Sequence, residues 1–362
     1  MLYFVISYTY SLFLPLCCVY RVLCSTIKIL TVCVLSCVFL YVLMVAVESM
    51  PIPACAHSLV IPKSQLLGCN GQESLCHKAY DRVAYATMHN AYSTTQDLFV
   101  FAQHRSCIRT ALVRGMRGFM LDIHLTETGL KLCHYSCLAG SLSLSSTLDT
   151  FREFLEANPR EIVTIFWETI SDRNTVIPIE KRKIVKTLFE KAVLDTELLS
   201  MIHMEYADVF LKKSWPTLQT MVDNNRRLVM FSDATYVPHE WDLFDQIFII
   251  QTSFEIDNGN DLLSNCSLTS KKTWDRQMPV INHFTRASSV FGINTQSTMW
   301  LEKAFNIPFF MPTNRDPFFS EKMAGCVTEM RSHDMFPTFV VVDFWESSDV
   351  LEIVNRLNNV TH

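Results

Sequence analysis

Glycine is scarce, at nine residues in 362, where average usage is roughly 7%. That scarcity excludes collagen-like, glycine-rich-repeat and loop-dominated architectures. Charge is scarce as well: 19% of residues are charged and 49% hydrophobic, too apolar for a disordered chain. There is no basic excess. Lys+Arg number 31 against 36 Asp+Glu, a net charge of −5, so the electrostatic footprint of a nucleic-acid binder is missing. The sequence has no CxxC pair, no short-period repeat and no low-complexity linker. The first of these argues against a structural zinc site.

What is present begins with an apolar N-terminus. Met1–Val47 carries only Arg21 and Lys28, so the remaining 315 residues hold 29 basic and 36 acidic groups. Ile29–Val47 is 19 residues without a charge, close to the roughly 20 that span a bilayer core as a helix. Basic residues precede the run and Glu48 follows it, which directs the bulk of the chain out of the cytoplasm. Ala54-Cys55-Ala56 has the small-x-small form of a signal-peptidase site. Residues 1–56 therefore read as a signal peptide, or as a signal anchor with a short stalk. Residues 57–362 read as the exported domain, secreted or held at the membrane with its chemistry outside. Five of the 13 cysteines lie in the leader and eight outside it. An even number suits an oxidising compartment, and the close pairs Cys69/Cys76 and Cys133/Cys137 can close small loops. Cys266 and Cys326 are further disulfide candidates. Asn265 and Asn359 head glycosylation sequons.

Apolar runs of strand length recur along the exported part, at Val83–Met88, Gly118–Leu125, Leu130–His134, Ile162–Glu168, Leu228–Ser232, Ile247–Ser253, Pro279–Phe284 and Thr338–Phe344. Several are continuously apolar, as strands covered on both faces are. Helical patterns fall between them, at Leu148–Ala157, Pro178–Leu199, Thr217–Asn224, Thr298–Phe305 and Ser320–Arg331. A last helix follows at Ser348–Leu357, with Ser347 or Ser348 as its N-cap. Eight strands alternating with helices predict an α/β fold, a parallel (β/α)8 TIM-type barrel, regular or irregular. A doubly wound open sheet is the alternative, but no glycine-rich phosphate loop follows the first strand.

In such a barrel, chemistry collects where the strands end. The first strand ends in His89-Asn90, the second carries Asp122 and His124, the third ends in His134, the fourth in Glu168, and the last runs into Asp343 and Glu346. Two histidines can serve as general base and general acid. Asn90, Asp122 and Glu168 offer oxygen ligands for a hard cation. His124 is assigned to the opposite face of its strand from Asp122 and read as structural. Glu346 is read as a cap or ion-pair partner.

These residues carry a resemblance. Cys69-Asn-Gly with Leu75-Cys76, Ala86-Thr-Met-His89-Asn90-Ala-Tyr92, Gly115-Met-Arg117-Gly-Phe-Met-Leu-Asp122, Leu132-Cys133-His134-Tyr-Ser-Cys137, the run Phe154–Glu168, Trp215-Pro-Thr-Leu with Asn225–Phe231, and Phe339–Phe344 occur in order. Together they resemble the X domain of phosphatidylinositol-specific phospholipase C, in its single-domain, secreted phosphodiesterase branch. The resemblance covers about Cys69 to Leu357. No C2, PH, EF-hand or Y-half pattern accompanies it.

The resemblance implies a phosphoric diester hydrolase acting on a phospholipid or glycolipid at a membrane surface, as a monomer. His89 and His134 would be the catalytic pair. Asn90, Asp122 and Glu168 would be metal ligands, for Ca²⁺ ahead of Mg²⁺. Asp343 and Arg117 would be substrate-contacting or histidine-orienting residues, with Arg117 leaning towards a structural role. Met120 stands where calcium-dependent animal enzymes place a further carboxylate, so one expected ligand is missing. A glycerophosphodiesterase or sphingomyelinase-D-like barrel is an alternative, as is a catalytically weak lipid- or carbohydrate-binding barrel. The first pair would want Glu-x-Asp on strand two, where this chain has Met120-Leu-Asp122.

Overall fold

The computed structural model describes residues 60, 68–100, 102–133, 137–169, 179–204, 209, 214–232, 243–253, 266–270, 277–284 and 315–359. These all belong to the unit Ala54–His362. The apolar run Ile29–Val47, His134, Asn265 and the expected helix Thr298–Phe305 lie outside the described residues. Among the described residues, no helix is long and apolar enough to cross a membrane.

In chain order the elements are β1 (Tyr85–Met88), α1 (Ile108–Arg114), β2 (Gly118–Thr126), β3 (Gly129–Leu132), β4 (Leu142–Ser143), α2 (Leu144–Ala157), β5 (Val163–Thr169), α3 (Ile179–Asp195), α4 (Leu218–Asp223), β6 (Leu228–Ser232), β7 (Leu243–Phe244), α5 (Asp245–Phe248), β8 (Ile249–Gln251), β9 (Met278–His283), α6 (Phe318–Ser332), β10 (Phe339–Val342) and α7 (Val350–Leu357). Eight strands run parallel in the order β7-β6-β5-β2-β1-β10-β9-β8.

The two ends of that path are neighbours in the chain. Laid flat, eight strands at about 4.8 Å spacing would separate β7 from β8 by roughly 34 Å. Yet only α5 joins Phe244 to Ile249, five peptide steps that reach at most about 18 Å even when fully extended. The sheet must therefore curl, which is barrel geometry.

Alternation along the strands divides the core into two layers. Outward residues such as Phe119, Leu121, Ile123, Ile165, Trp167, Met230 and Val340 meet the helices in one buried cluster. Inward residues such as Tyr85, Val229, Phe231, Val280, Phe339 and Val341 fill the barrel. Phe166 stacks on Phe231 and meets Phe339 edge-on. Gly118 faces inward, where an added Cβ would lie 2.2 Å from Thr87 Oγ1, so only glycine fits this layer. The segment before β1 covers the opening at the strand N-termini. Tyr80 Oη pairs with Thr164 Oγ1 at 2.6 Å, and Asn70 Oδ1 accepts from Ile162 N at 2.7 Å.

Two expectations about elements are corrected. Leu130–His134 is not a barrel strand. Its described part, within β3, pairs antiparallel with β2 as a hairpin, with Ile123 opposite Leu132. The barrel's third strand is β5, and the two-residue β7, absent from the sequence reading, restores the count to eight. The N-cap of α7 is Asp349, although Ser348 Oγ accepts from Val350 N at 3.1 Å.

Three disulfides join Cys69 to Cys76, Cys133 to Cys137 and Cys266 to Cys326, the pairs of candidates that the sequence offered. Cys107 is also disulfide-bonded.

Candidate active site

The site is built where β1 and β10 end side by side. Their register sets Met88 opposite Val342, so the next residues, His89 and Asp343, meet beyond the ladder. His89 Nδ1 lies 2.9 Å from Asp343 Oδ1. A carboxylate only accepts, so Nδ1 carries the proton and, in the neutral ring, Nε2 keeps its lone pair. The imidazole stacks on Phe284, 3.7 Å between centroids and 8° from parallel. His104 Nε2 donates to the His89 carbonyl at 2.6 Å. Strand pairing, carboxylate, ring stack and carbonyl clamp together hold His89 in one pose.

Each of these strands stops on a left-handed residue. Asn90 has φ 44° and Phe344 φ 50°. Asparagine tolerates this region; for a residue as bulky as phenylalanine it is an outlier. Phe344 N donates to Gln103 O at 2.8 Å, which holds the turn. Strain directly after both His89 and Asp343 is the pattern expected of a functional site.

Asn90 is buried beside Asp122. With its amide nitrogen towards Asp122, Nδ2 donates to Asp122 Oδ2 at 3.1 Å and Oδ1 accepts from Gln103 Nε2 at 3.0 Å; His89 Nε2 lies 3.3 Å from the same oxygen and donates to it only when the ring is protonated on both nitrogens. With the amide reversed, Nδ2 donates to Gln103 Oε1 at 3.2 Å and Oδ1 faces the Asp122 carboxylate. That oxygen-to-oxygen approach is favourable only with a cation nearby. Tyr92 Oη donates to Asp122 Oδ2 at 2.6 Å. Asp122 pairs in register with Glu168 on β5, so the two carboxylates occupy neighbouring strands, one buried and one exposed. The donors are one amide oxygen and two carboxylates, a set that suits Ca²⁺ or Mg²⁺. Met120, on the same face of β2, is partly buried against the apolar barrel interior.

Other expectations change. Residues two apart on a strand share a face, so His124 lies on the Asp122 side of β2, not opposite it. His124, Cys133 and Cys137 have their ligand-type atoms within 4.8 Å of one another, but both sulfurs are in a disulfide and cannot act as thiolate ligands. Arg117 is far from the site. It precedes β2, five residues and so roughly 16 Å from Asp122. Its Nε donates to the buried Glu161 Oε2 at 2.7 Å, and Nη1 to the carbonyls of Leu112 and Met116, each at 2.7 Å. Glu346 Oε1 accepts the backbone N–H groups of Arg105 and Ser106 at 2.9 and 2.5 Å, a structural cap. Asn359 is exposed just beyond α7.

Four contributors escaped the sequence reading: Gln103, His104, Phe284, and Tyr92 as a partner of Asp122. Gln103 and His104 sit in the loop from β1 to α1, and both are fully buried. Burial pushes the His104 imidazole below its usual range, against the opposing pull of Glu346 and Asp343. Loop sequence carries no periodicity to signal burial. The one available signal was Tyr92, two residues beyond Asn90.

The fold and the site thus define an α/β-barrel protein with a carboxylate-held histidine and further carboxylates at its strand ends. The family model described as PI-PLC X 1 matches residues 75–358, and the chain belongs to the PI-PLC X family. It is 25% identical to a PI-PLC X domain-containing protein of Arabidopsis thaliana over 302 residues, 77% of this chain and 62% of that relative. It is also 25% identical over 314 residues to PI-PLC X domain-containing protein 1 of Arthroderma benhamiae, 83% of this chain and 92% of that one. The chain thus spans under two thirds of the plant relative's length. In fold it is similar to a double mutant of the phosphatidylinositol-specific phospholipase C from S. aureus, with TM-score 0.50, 13% identity, and coverage of 82% of this chain and 100% of that chain.

Proposed function

We propose that the protein is an exported phosphodiesterase that cleaves the head-group phosphodiester of a phosphatidylinositol-type lipid, with residues 57–362 as its barrel domain. The observation that carries this reading is the His89–Asp343 contact of 2.9 Å, set at the barrel end that also bears Asp122 and Glu168. In this reading His89 Nε2 takes the proton of the inositol 2-hydroxyl. The freed oxygen attacks phosphorus, and the bond from phosphorus to the glycerol oxygen breaks. A general acid returns a proton to the departing diacylglycerol oxygen. By its motif position that acid is His134, which lies outside the described residues. The products are a cyclic inositol phosphate and diacylglycerol. Asp343 holds the reactive tautomer of His89 and stabilises the imidazolium once it forms.

Asn90, Asp122 and Glu168 would hold a divalent cation, Ca²⁺ ahead of Mg²⁺. When bound, the cation would polarise the phosphoryl oxygen and lower the pKa of the attacking hydroxyl. Tyr92 keeps Asp122 oriented whether or not the cation is there. The glycerophosphodiesterase alternative loses ground because Met120, where that reading wants a carboxylate, packs against the barrel's apolar interior.

The test is to incubate the purified protein with phosphatidylinositol, lysophosphatidylcholine, sphingomyelin and a glycosylphosphatidylinositol-anchored reporter, before and after EGTA dialysis. Diacylglycerol release from an inositol lipid, restored by added calcium, supports the reading. Release of choline, or of a lipid phosphate, overturns it.

A further inference from the structure

His124, Cys133 and Cys137 gather at the β2–β3 hairpin, with one ligand-type atom from each lying within 4.8 Å of the others. Carrying the ladder one step past the Ile123–Leu132 pair sets Cys133 opposite Asp122. Residues two apart on a strand share a face, so His124 and Cys133 point to the same side. Cys137 follows three residues after Cys133, with its Cα 5.0 Å from the other. That C-x3-C spacing lies within the range that zinc sites use. While the two sulfurs are bonded to each other, neither is a thiolate.

The bond is placed to open. Of the seven described cysteines held in disulfides, six are buried and Cys137 alone is partly exposed. Thiol–disulfide exchange requires a thiolate to reach a sulfur, and a small thiol meets Cys137 Sγ first. Its sulfur bonds to Cys137 Sγ, and Cys133 Sγ leaves with the electron pair. A second thiol attacks the mixed disulfide. The reagent departs as its own disulfide, and both cysteines are left as thiols. The Cys69–Cys76 and Cys266–Cys326 pairs are shielded, with none of the four residues more than 9% exposed.

We propose that the reduced hairpin is a Zn²⁺ site, with His124, Cys133 and Cys137 as ligands and the fourth position left to water. Thiolate and imidazole donors select zinc over the hard cations suited to Asn90, Asp122 and Glu168. Zn–S bonds of about 2.3 Å and a Zn–N bond of about 2.0 Å, at tetrahedral angles, set the sulfurs roughly 3.8 Å apart and each roughly 3.5 Å from the nitrogen. Loss of the disulfide lets the sulfurs part, and the imidazole closes from no more than 4.8 Å. Binding displaces the two thiol protons. The site adjoins the candidate active site. The Cys133 carbonyl lies 3.1 Å from Tyr92 Oη, the hydroxyl that holds Asp122, and His134 lies between the two cysteines in the chain. An oxidising compartment keeps the bond closed; a thiol-rich one opens it and admits zinc.

The test uses the full chain under native conditions. Brief treatment with a dilute thiol, then alkylation and peptide mass spectrometry, should label Cys133 and Cys137 before the cysteines of the other disulfides. Labelling of the buried pairs first, or of all pairs together, overturns the proposal. After desalting without oxygen, Zn²⁺ affinity is measured against a chromophoric chelator. It is read as the difference from Cys133→Ser with Cys137→Ser, which subtracts the leader cysteines and any other thiol. The treated chain should bind one further Zn²⁺, and Co²⁺ in its place should show thiolate-to-metal charge-transfer absorption; the untreated chain should do neither. His124→Ala leaves the disulfide intact, and the thermal melt of its oxidised form is the folding control. After treatment it should bind Zn²⁺ about a hundredfold or more weaker. No binding beyond that of the double variant, or unchanged affinity without His124, overturns the proposal. Zinc affinity is read without turnover, so the outcome is independent of the phosphodiesterase reading.

Discussion

In the proposed mechanism His89 divides its work between two ring nitrogens. Nδ1 is committed to Asp343, so Nε2 is the one left for a proton in transit. His89→Ala should lower turnover by about 10²–10⁴-fold, the usual worth of one general acid or base. Asp343→Asn should lower it too, by removing the charge that stabilises the imidazolium and by presenting an amide N–H that can hold the opposite tautomer, while the ring stays stacked on Phe284. Both variants should melt near the wild-type temperature, because neither residue belongs to the apolar core. Steady-state turnover beside calorimetry checks this. A second residue-scale effect concerns stability. Burial, reinforced by Arg226, pushes His203 from 6.5 down to about 4. The unfolded chain therefore binds a proton that the folded one refuses across that interval. The stabilisation is complete above pH 6.5 and is lost as pH falls towards 4. His104, lowered mainly by burial, adds in the same direction. Melting temperature should fall across this window, and His203→Gln should flatten the slope. A slope unchanged in that variant would contradict the assignment. His89, Asn90, Asp122, Glu168 and Asp343 were legible because strand ends are readable from apolar runs. Gln103, His104 and Phe284 were not, because their importance comes from loop burial and a ring stack that no local pattern encodes.

At the scale of elements, β2 is the organising strand. Its lower half pairs with β1 and β5, and its upper half with β3. The close layer at its start gives a direct test. Gly118→Ala places a methyl against Thr87 and should destabilise by roughly 1–3 kcal/mol, measured by denaturant unfolding. Thr87→Ala in the same chain should recover part of that loss. If the two effects simply add, the contact is not the cause. The strands were largely readable because both faces are covered and their apolar runs are continuous. The direction of β3 was not. Leu130–Leu132 is too short to distinguish a hairpin return from a barrel strand, and the signals for a hairpin were the turn residues Glu127-Thr128-Gly129 and the charged Lys131 between two leucines. With two residues, β7 carries no pattern at all.

For the whole molecule, the sequence conveyed the parallel order because strands and helices alternate, and closure follows from the short β7–α5–β8 connection. Asn358 ties the last helix to the first strand, accepting from Ala84 N at 2.8 Å and donating to Ala84 O at 3.0 Å. Limited proteolysis of the exported part should therefore yield one resistant core, not two stable halves. Three described disulfides and an exposed Asn359 suit passage through the secretory pathway. Expressed in animal cells, the chain should gain mobility on gels after N-glycosidase treatment, an effect reduced by Asn359→Gln. No change in wild-type mobility would argue against export.

The central claim is that His89 activates the substrate's own hydroxyl as the nucleophile. Time-resolved phosphorus NMR of phosphatidylinositol cleavage in ¹⁸O-enriched water tests it most directly. The account predicts a cyclic inositol phosphate as the first product, free of solvent oxygen, and its loss with His89→Ala. An acyclic phosphate carrying ¹⁸O from the earliest time point would contradict it.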